Sequence, residues 1–359
     1  MIPFTRGLRI IVGLELAQRV RGVAVYVLLG LFALLVAAVT LLLWFTSANT
    51  EAYGGPDNAG YLFSTIVYFV LLLGTLLAPA LGGAAVNGDR DAGTLATTQV
   101  TLVSTTQIVI GKFLASWITS LAFLVVSLPF LLFSFTLGDV PARTVVVSLL
   151  VLVVELAVVS AIAVGLSAII ARPLFSVATT YLVVAALSIG TLIAFGLGGL
   201  AVQMEQRSVY ISVDPSYYED EAANTIECLP PEVYTSQVPR FDLVWGFLAA
   251  NPYVVLADAS AVDFDDSGYP ADLFGNFALG ARAAQIPPEA ETVYDECAAL
   301  QSENDYQQGP TPEEIWNSTT PSWFVGLAAH VLLAAGLLVW GIARTRTPAR
   351  RLPTGQRVA

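Results

Sequence analysis

The chain has 359 residues, of which 56% are hydrophobic and 12% charged, with a formal net charge of −12 and a single His. Soluble globular domains carry roughly 25% charged residues, so the composition excludes an ordinary water-soluble domain. The excess of acid over base argues against nucleic acid as a partner.

Six apolar runs are long enough to be read as membrane-spanning helices, near 23–46, 61–86, 113–137, 144–171, 174–202 and 323–343. The fold class expected is an all-α polytopic membrane protein with six transmembrane helices. Residues 1–22 do not read as a cleaved signal peptide, because Arg6, Arg9, Glu15, Arg19 and Arg21 interrupt them. Leu8, Ile11, Val12 and Leu16 fall at helical spacing, which predicts an amphipathic helix lying in the interface plane. Span one follows, and span two carries Pro79.

Between spans two and three the mostly polar stretch "NGDRDAGTLATTQVTLVSTTQIVIGK" (87–112) contains no His, no Cys and no nucleophile–base pair. Span three carries Pro129, and span four has Glu155 near its middle. An ionisable residue at that depth is a functional-site candidate. It could shape a translocation surface, bind a cation or relay protons; equally, it could tie its helix to a neighbour through a hydrogen bond. The short loop "ARPLF" (171–175) leads into span five, and spans 1–5 with their loops occupy 23–202. His330 lies inside span six (321–343), and spacing alone does not decide whether it meets Glu155. A basic tail, 344–359, follows.

Spans five and six are separated by residues 203–320, which hold 21 of the 28 acidic and 3 of the 16 basic residues. The rest of the chain is net basic. Of the 16 Lys and Arg residues, 12 fall in segments on one side and 4 on the other. The positive-inside rule therefore puts both termini in the cytoplasm and 203–320 outside, in a plasma membrane. Both cysteines, Cys228 and Cys297, lie in that outer segment, and an oxidising compartment favours their pairing as a disulfide. Within it, 241–262 is apolar but too short to span, and Asn251-Pro252 breaks it. A re-entrant or interfacial helical hairpin and a pair of core helices both fit. Asp263, Asp265 and Asp266 lack the spacing of a calcium loop, and no metal site is expected.

No catalytic constellation emerges. The phosphate-loop pattern fails at "TQIVIGKF", where Thr106 and Phe113 occupy the places of a Gly and a Ser or Thr. The chain is therefore not expected to be an enzyme or to hold a cofactor. The segment "DRDAGTLATTQVTLVSTTQIVIGKFLAS" resembles the cytoplasmic segment after span two in permeases of the type-2 ABC exporter family. The match rests on Asp89, Arg90, Asp91, Gly93, Thr94, Leu95, Ile108, Val109, Ile110, Gly111 and Lys112. Leu102 and Thr105 depart from it, standing where a Pro and a basic residue are common. "AANPYVVLADA" and the basic tail look like actinobacterial members of the same family.

The resemblance implies a half-transporter. A second permease subunit would pair with this one, and each would dock an ATP-binding subunit that holds the ATP and Mg. The stretch 87–108 would form the coupling helix, with Asp89, Arg90, Asp91, Gly93, Thr94, Leu95, Leu102 and Thr105 as ATPase-coupling residues. Three functional readings follow: an exporter of an amphipathic or hydrophobic substrate, a mechanical relay acting on an outer partner, and an ion-coupled transporter centred on Glu155.

Overall fold

The computed structural model describes residues 3–51, 59–99, 103–215, 226–260, 262–265, 268–301 and 310–346. Among these, six helices are long and apolar enough to cross a bilayer. Helix α1 (Phe4–Arg21) precedes span one, α2 (Val23–Glu51), with only Gly22 between them. Span two is α3 (Ala59–Gly82), followed by the short α4 (Asn87–Asp91) and α5 (Thr94–Gln99). Spans three and four are α6 (Thr105–Ser134) and α7 (Ala142–Ile169). Span five is composite: α8 (Pro173–Ala185), a π-helical turn (Ala186–Gly190) and α9 (Thr191–Ala201). All six expected runs are thus helices. We call the end of the bundle carrying α1, α4 and α5 the proximal face, and the opposite end the distal face.

The distal segment departs from the all-α expectation. Strand β1 (Gln203–Ile211) follows α9 with only Val202 between them. It pairs antiparallel with β2 (Glu232–Pro239) and parallel with β3 (Glu291–Asp295), in the order β2-β1-β3. The strands escape a hydropathy reading because β1 is QMEQRSVYI, a run with little apolar alternation. Its parallel partner also lies some eighty residues along the chain. Cys228 and Cys297 form the expected disulfide, which pins the loop before β2 to α13 (Glu296–Gln301), just after β3.

Between β2 and β3 lie a 3-10 turn (Phe241–Leu243), α10 (Gly246–Ala249), α11 (Pro252–Ala259) and α12 (Leu273–Ala283). After α13 come α14 (Pro312–Ser318) and span six, α15 (Trp323–Thr345). Proline at the first helical position and a capping side chain before it explain two of these starts. Asn251 accepts from the Tyr253 N–H at the head of α11, and Thr311 accepts from Glu314 at the head of α14. So Asn251-Pro252 ends one helix by beginning the next.

The described part of 241–262, here called the hairpin for short, is three short helical pieces, and α11 is buried against α7, α12 and α15. Val255, Leu256 and Ala257 of α11 share one apolar cluster with Phe32, Phe63 and Leu152 of three spans. The main core therefore runs without interruption from the bundle into the distal segment. Helices α7 and α15 cross closely at two glycines. A side chain at Gly165 would meet Leu337 at 2.9 Å, and one at Gly341 would meet Ala168 at 2.8 Å. Small residues at both positions let the backbones approach closely.

Candidate functional site

Three arrangements of polar or cavity-lining residues stand out against this apolar frame. The first is the proximal platform. Span two ends at Gly82, and a turn leads into α4. Asn87 is fully buried there, donating to the Ile170 carbonyl at 3.1 Å and accepting from the Ser167 hydroxyl at 3.1 Å. The Ser167 oxygen also accepts from the Val86 and Asn87 amides, at 2.9 and 3.2 Å. The start of the polar stretch is thereby fixed to the end of span four.

Lys112, 3% exposed, binds two carboxylates: Asp89 of α4 at 2.7 Å and Glu15 of α1. One buried ammonium thus joins α1, α4 and span three. Arg19 extends the contact, donating to Thr119 Oγ1 at 3.2 Å and to the Leu81 carbonyl at 3.0 Å. Burial draws its pKa below the ordinary guanidinium value, against the opposing pull of Glu15. Gln107 closes a capping box with Ser104 and also donates to the Phe4 carbonyl at 3.1 Å.

The expected coupling residues divide by orientation. Asp89 faces Lys112, Arg90 donates to the Ala168 carbonyl at 3.4 Å, and Leu95 is buried in a proximal apolar cluster. Asp91, Gly93 and Thr94 are exposed. Gly93, with φ at +71°, is the left-handed break between α4 and α5, so the stretch is two short helices and not one. Thr105 opens span three behind the Ser104 cap. Leu102 lies outside the described residues. Sequence reading matched Lys112 but missed Glu15, its second carboxylate partner, because nothing in the spacing links α1 to α6.

The second arrangement is the buried pair. Glu155 and His330 are each 1% exposed and meet at 2.9 Å between Oε1 and Nδ1. On its other side, His330 Nε2 lies 2.9 Å from the Ala250 carbonyl. A carbonyl can only accept, so Nε2 carries a hydrogen, and a single proton must lie between Nδ1 and Glu155. Whichever atom holds it, the pair is net neutral, as full burial in an apolar interior favours. The bond joins span four, span six and the hairpin. The next residue, Asn251, donates to the Ser188 carbonyl at 2.6 Å and lies 2.8 Å from Thr191 Oγ1, both in or beside the π-helical turn of span five. π-bulges of this kind recur at functional sites.

The third arrangement is a cavity of about 330 Å³ on the far side of Asn251. Tyr68 and Leu72 of α3, Leu192 of α9, Asn251, Tyr253 and Phe277 of α12 line it. Nearby, Asp258 is the anchor that sequence reading overlooked. It binds Arg282 Nε at 2.6 Å and accepts from the Ser322 hydroxyl at 2.9 Å and the Trp323 amide at 3.0 Å. Its carboxylate thus caps the start of span six, where the helix dipole favours negative charge. Arg282 in turn stacks 3.3 Å over the Trp316 ring. An acid inside the apolar run "VVLADASA" was the available signal.

Among the described residues no cluster of His, Cys, Asp and Glu could hold a metal ion. Asp265 accepts from the Tyr269 amide at 2.9 Å within its own turn, and Asp266 lies outside the described residues. No family model matches this chain, and no curated protein matches it.

Proposed function

We propose that this chain is the membrane-spanning permease subunit of an ATP-driven exporter of the type-2 ABC kind. In this reading both termini are cytoplasmic, 203–320 is outside, and a separate subunit binds ATP. The observation that carries it is the division of the 87–95 stretch. Asn87, Asp89, Arg90 and Leu95 hold it to spans three and four and to α1, while Asp91, Gly93 and Thr94 are presented outward. A rigidly backed polar edge without a reactive group suits docking by a protein surface, whose movement it would pass to spans two and three. Two copies of the chain would enclose the substrate path.

The test is co-purification from the native membrane. An ATP-binding subunit is expected to accompany the chain, and Asp91→Lys is expected to release it without unfolding the permease. Recovery of the wild-type chain with no ATP-binding protein would overturn the reading.

A second reading keeps the same ATPase partner but moves no solute: the distal segment acts mechanically on an outer partner. The observation favouring it is that Asp258 and Asn251 bind the distal segment directly to spans six and five. ATPase stimulation by a small hydrophobic molecule in the reconstituted complex supports export, and its absence across such molecules supports the relay.

A further inference from the structure

Beyond the Asn251 cavity, two more cavities of about 360 Å³ each lie along span five. The first adjoins it through Leu192, Val254 and Phe277, and the second adjoins the first through Phe195 and Gly280. Together they form one groove. Its deep end is at Leu72, thirteen residues along α3 and so about 20 Å below the start of that helix. Its other end is at Pro239 and Pro288, at the base of the β2-β1-β3 sheet. One leaflet of hydrocarbon is about 15 Å deep. With the head of α3 taken as the membrane surface, the groove reaches about midplane depth at Leu72 and runs from there to the foot of the sheet.

The deep part of the lining is almost wholly apolar, and Asn251, Tyr68 and Asn276 turn their polar groups to the protein, so that polar surface is found mainly at the outer end by Pro239 and Pro288. Asn251 holds Ser188, Thr191 and the Tyr253 amide. The Tyr68 hydroxyl donates to the Tyr253 carbonyl at 3.2 Å, and Asn276 donates to Tyr61 and to the Asp272 carbonyl. A drug or peptide would bury its own polar groups here without partners, which is costly. A saturated chain would not. Leu72 and Leu192 at the deep end are 41% and 52% exposed on the outside of the bundle, where hydrocarbon is the medium.

We infer that this groove takes the acyl chain of a membrane lipid and carries it from the distal leaflet to the foot of the sheet. Binding requires only that the six apolar helices lie in a bilayer; the further statement that the lipid is the exported substrate rests on the transporter reading. Two features separate this groove from ordinary annular contact: it runs on past the spans to Pro239, Ile286 and Pro288 at the foot of the sheet, and Gly280 leaves it open midway. A Cβ built on Gly280 meets nothing within 4 Å, so a side chain there has open space to enter.

The experiment uses the full chain alone, in nanodiscs of phosphatidylcholine carrying a diazirine at the end of one acyl chain. After irradiation, labelled residues are mapped by mass spectrometry. Label is expected on Phe195, Phe277 and Ile286, and on the exposed Leu34 of span one, away from the groove, as reference. Gly280→Trp is expected to abolish label at Phe195 and Ile286 and leave Leu34 unchanged, while Gly280→Ala changes neither. An unfolding temperature close to that of the wild type shows that the Trp variant has folded. Label confined to positions away from the groove such as Leu34, or label at Ile286 that survives Gly280→Trp, would overturn the inference. Because no ATPase is present, failure here is distinct from failure to recover an ATP-binding subunit.

Discussion

Glu155 and His330 lie 175 positions apart in the chain and share one proton across 2.9 Å in the middle of the bundle. That contact, continued through Ala250, is the only ionisable crossing between spans four and six among the described residues. Its replacement behaviour follows from its chemistry. In Glu155→Gln the amide N–H donates to Nδ1 in place of the shared proton, so stability is retained to within about 1 kcal/mol. Glu155→Ala leaves a buried ring nitrogen without a partner and costs about 1–3 kcal/mol. Thermal unfolding of both variants in detergent measures the difference.

Lys112 is the hub of the proximal platform. Lys112→Met leaves the mostly buried Glu15 and the half-exposed Asp89 without their cation; because water still reaches Asp89, the cost falls below that of a fully buried pair, at about 1–3 kcal/mol. Limited proteolysis should then release α1 before the spans unfold. Restoring neutrality with Glu15→Gln and Asp89→Asn in the same chain should recover most of the loss, whereas simple loss of packing would not be recovered.

Arg282 is expected to resist conservative replacement. Arg282→Lys keeps the charge beside Asp258 but loses the planar stack on Trp316 and the bond to its carbonyl. We expect the variant to melt several degrees lower than wild type. Trp316→Leu in the Lys background should add little further loss, because the contact it removes is already broken.

Asp272 gives the distal segment a pH dependence. Burial is the main cause that raises its carboxyl pKa to about 6, with the Gly275 amide opposing and Asp263 adding to the rise. The folded value lies above the unfolded one, so the folded state binds more protons between pH 4 and 6. The contribution of Asp272 is therefore full below about pH 4 and is lost as the pH rises through 6. Asp272→Asn keeps an oxygen to cap α12 and removes the titration. Its unfolding temperature should be flat where the wild type falls, and it should exceed the wild type at pH 7.

The spans were legible because runs of some twenty apolar residues have few other uses in a protein. The disulfide was legible because both cysteines lie in one acidic segment. What joined the parts was not. Gly165 and Gly341 set how closely spans four and six approach, but each is an ordinary glycine until its partner is known. The same holds for Glu15 and Lys112, and for β1 and β3, whose pairing is a relation between distant segments and leaves no periodic trace. The π-helical turn at Ala186–Gly190 has no compositional mark; it is set where Asn251 reaches into span five.

The continuity of the core has a practical consequence for anyone wishing to trim this chain. Residues 203–320 resemble an insert that could be excised and replaced by a short linker. Yet Val255, Leu256 and Ala257 complete the interior of the bundle, and Asp258 closes the head of span six. Excision would strip a wall from the membrane part and leave the His330 imidazole without Ala250. A deletion mutant would report on collapse of the scaffold. To ask what the distal surface recognises, the cut belongs further out, between Val202 and Pro239, with the hairpin left in place.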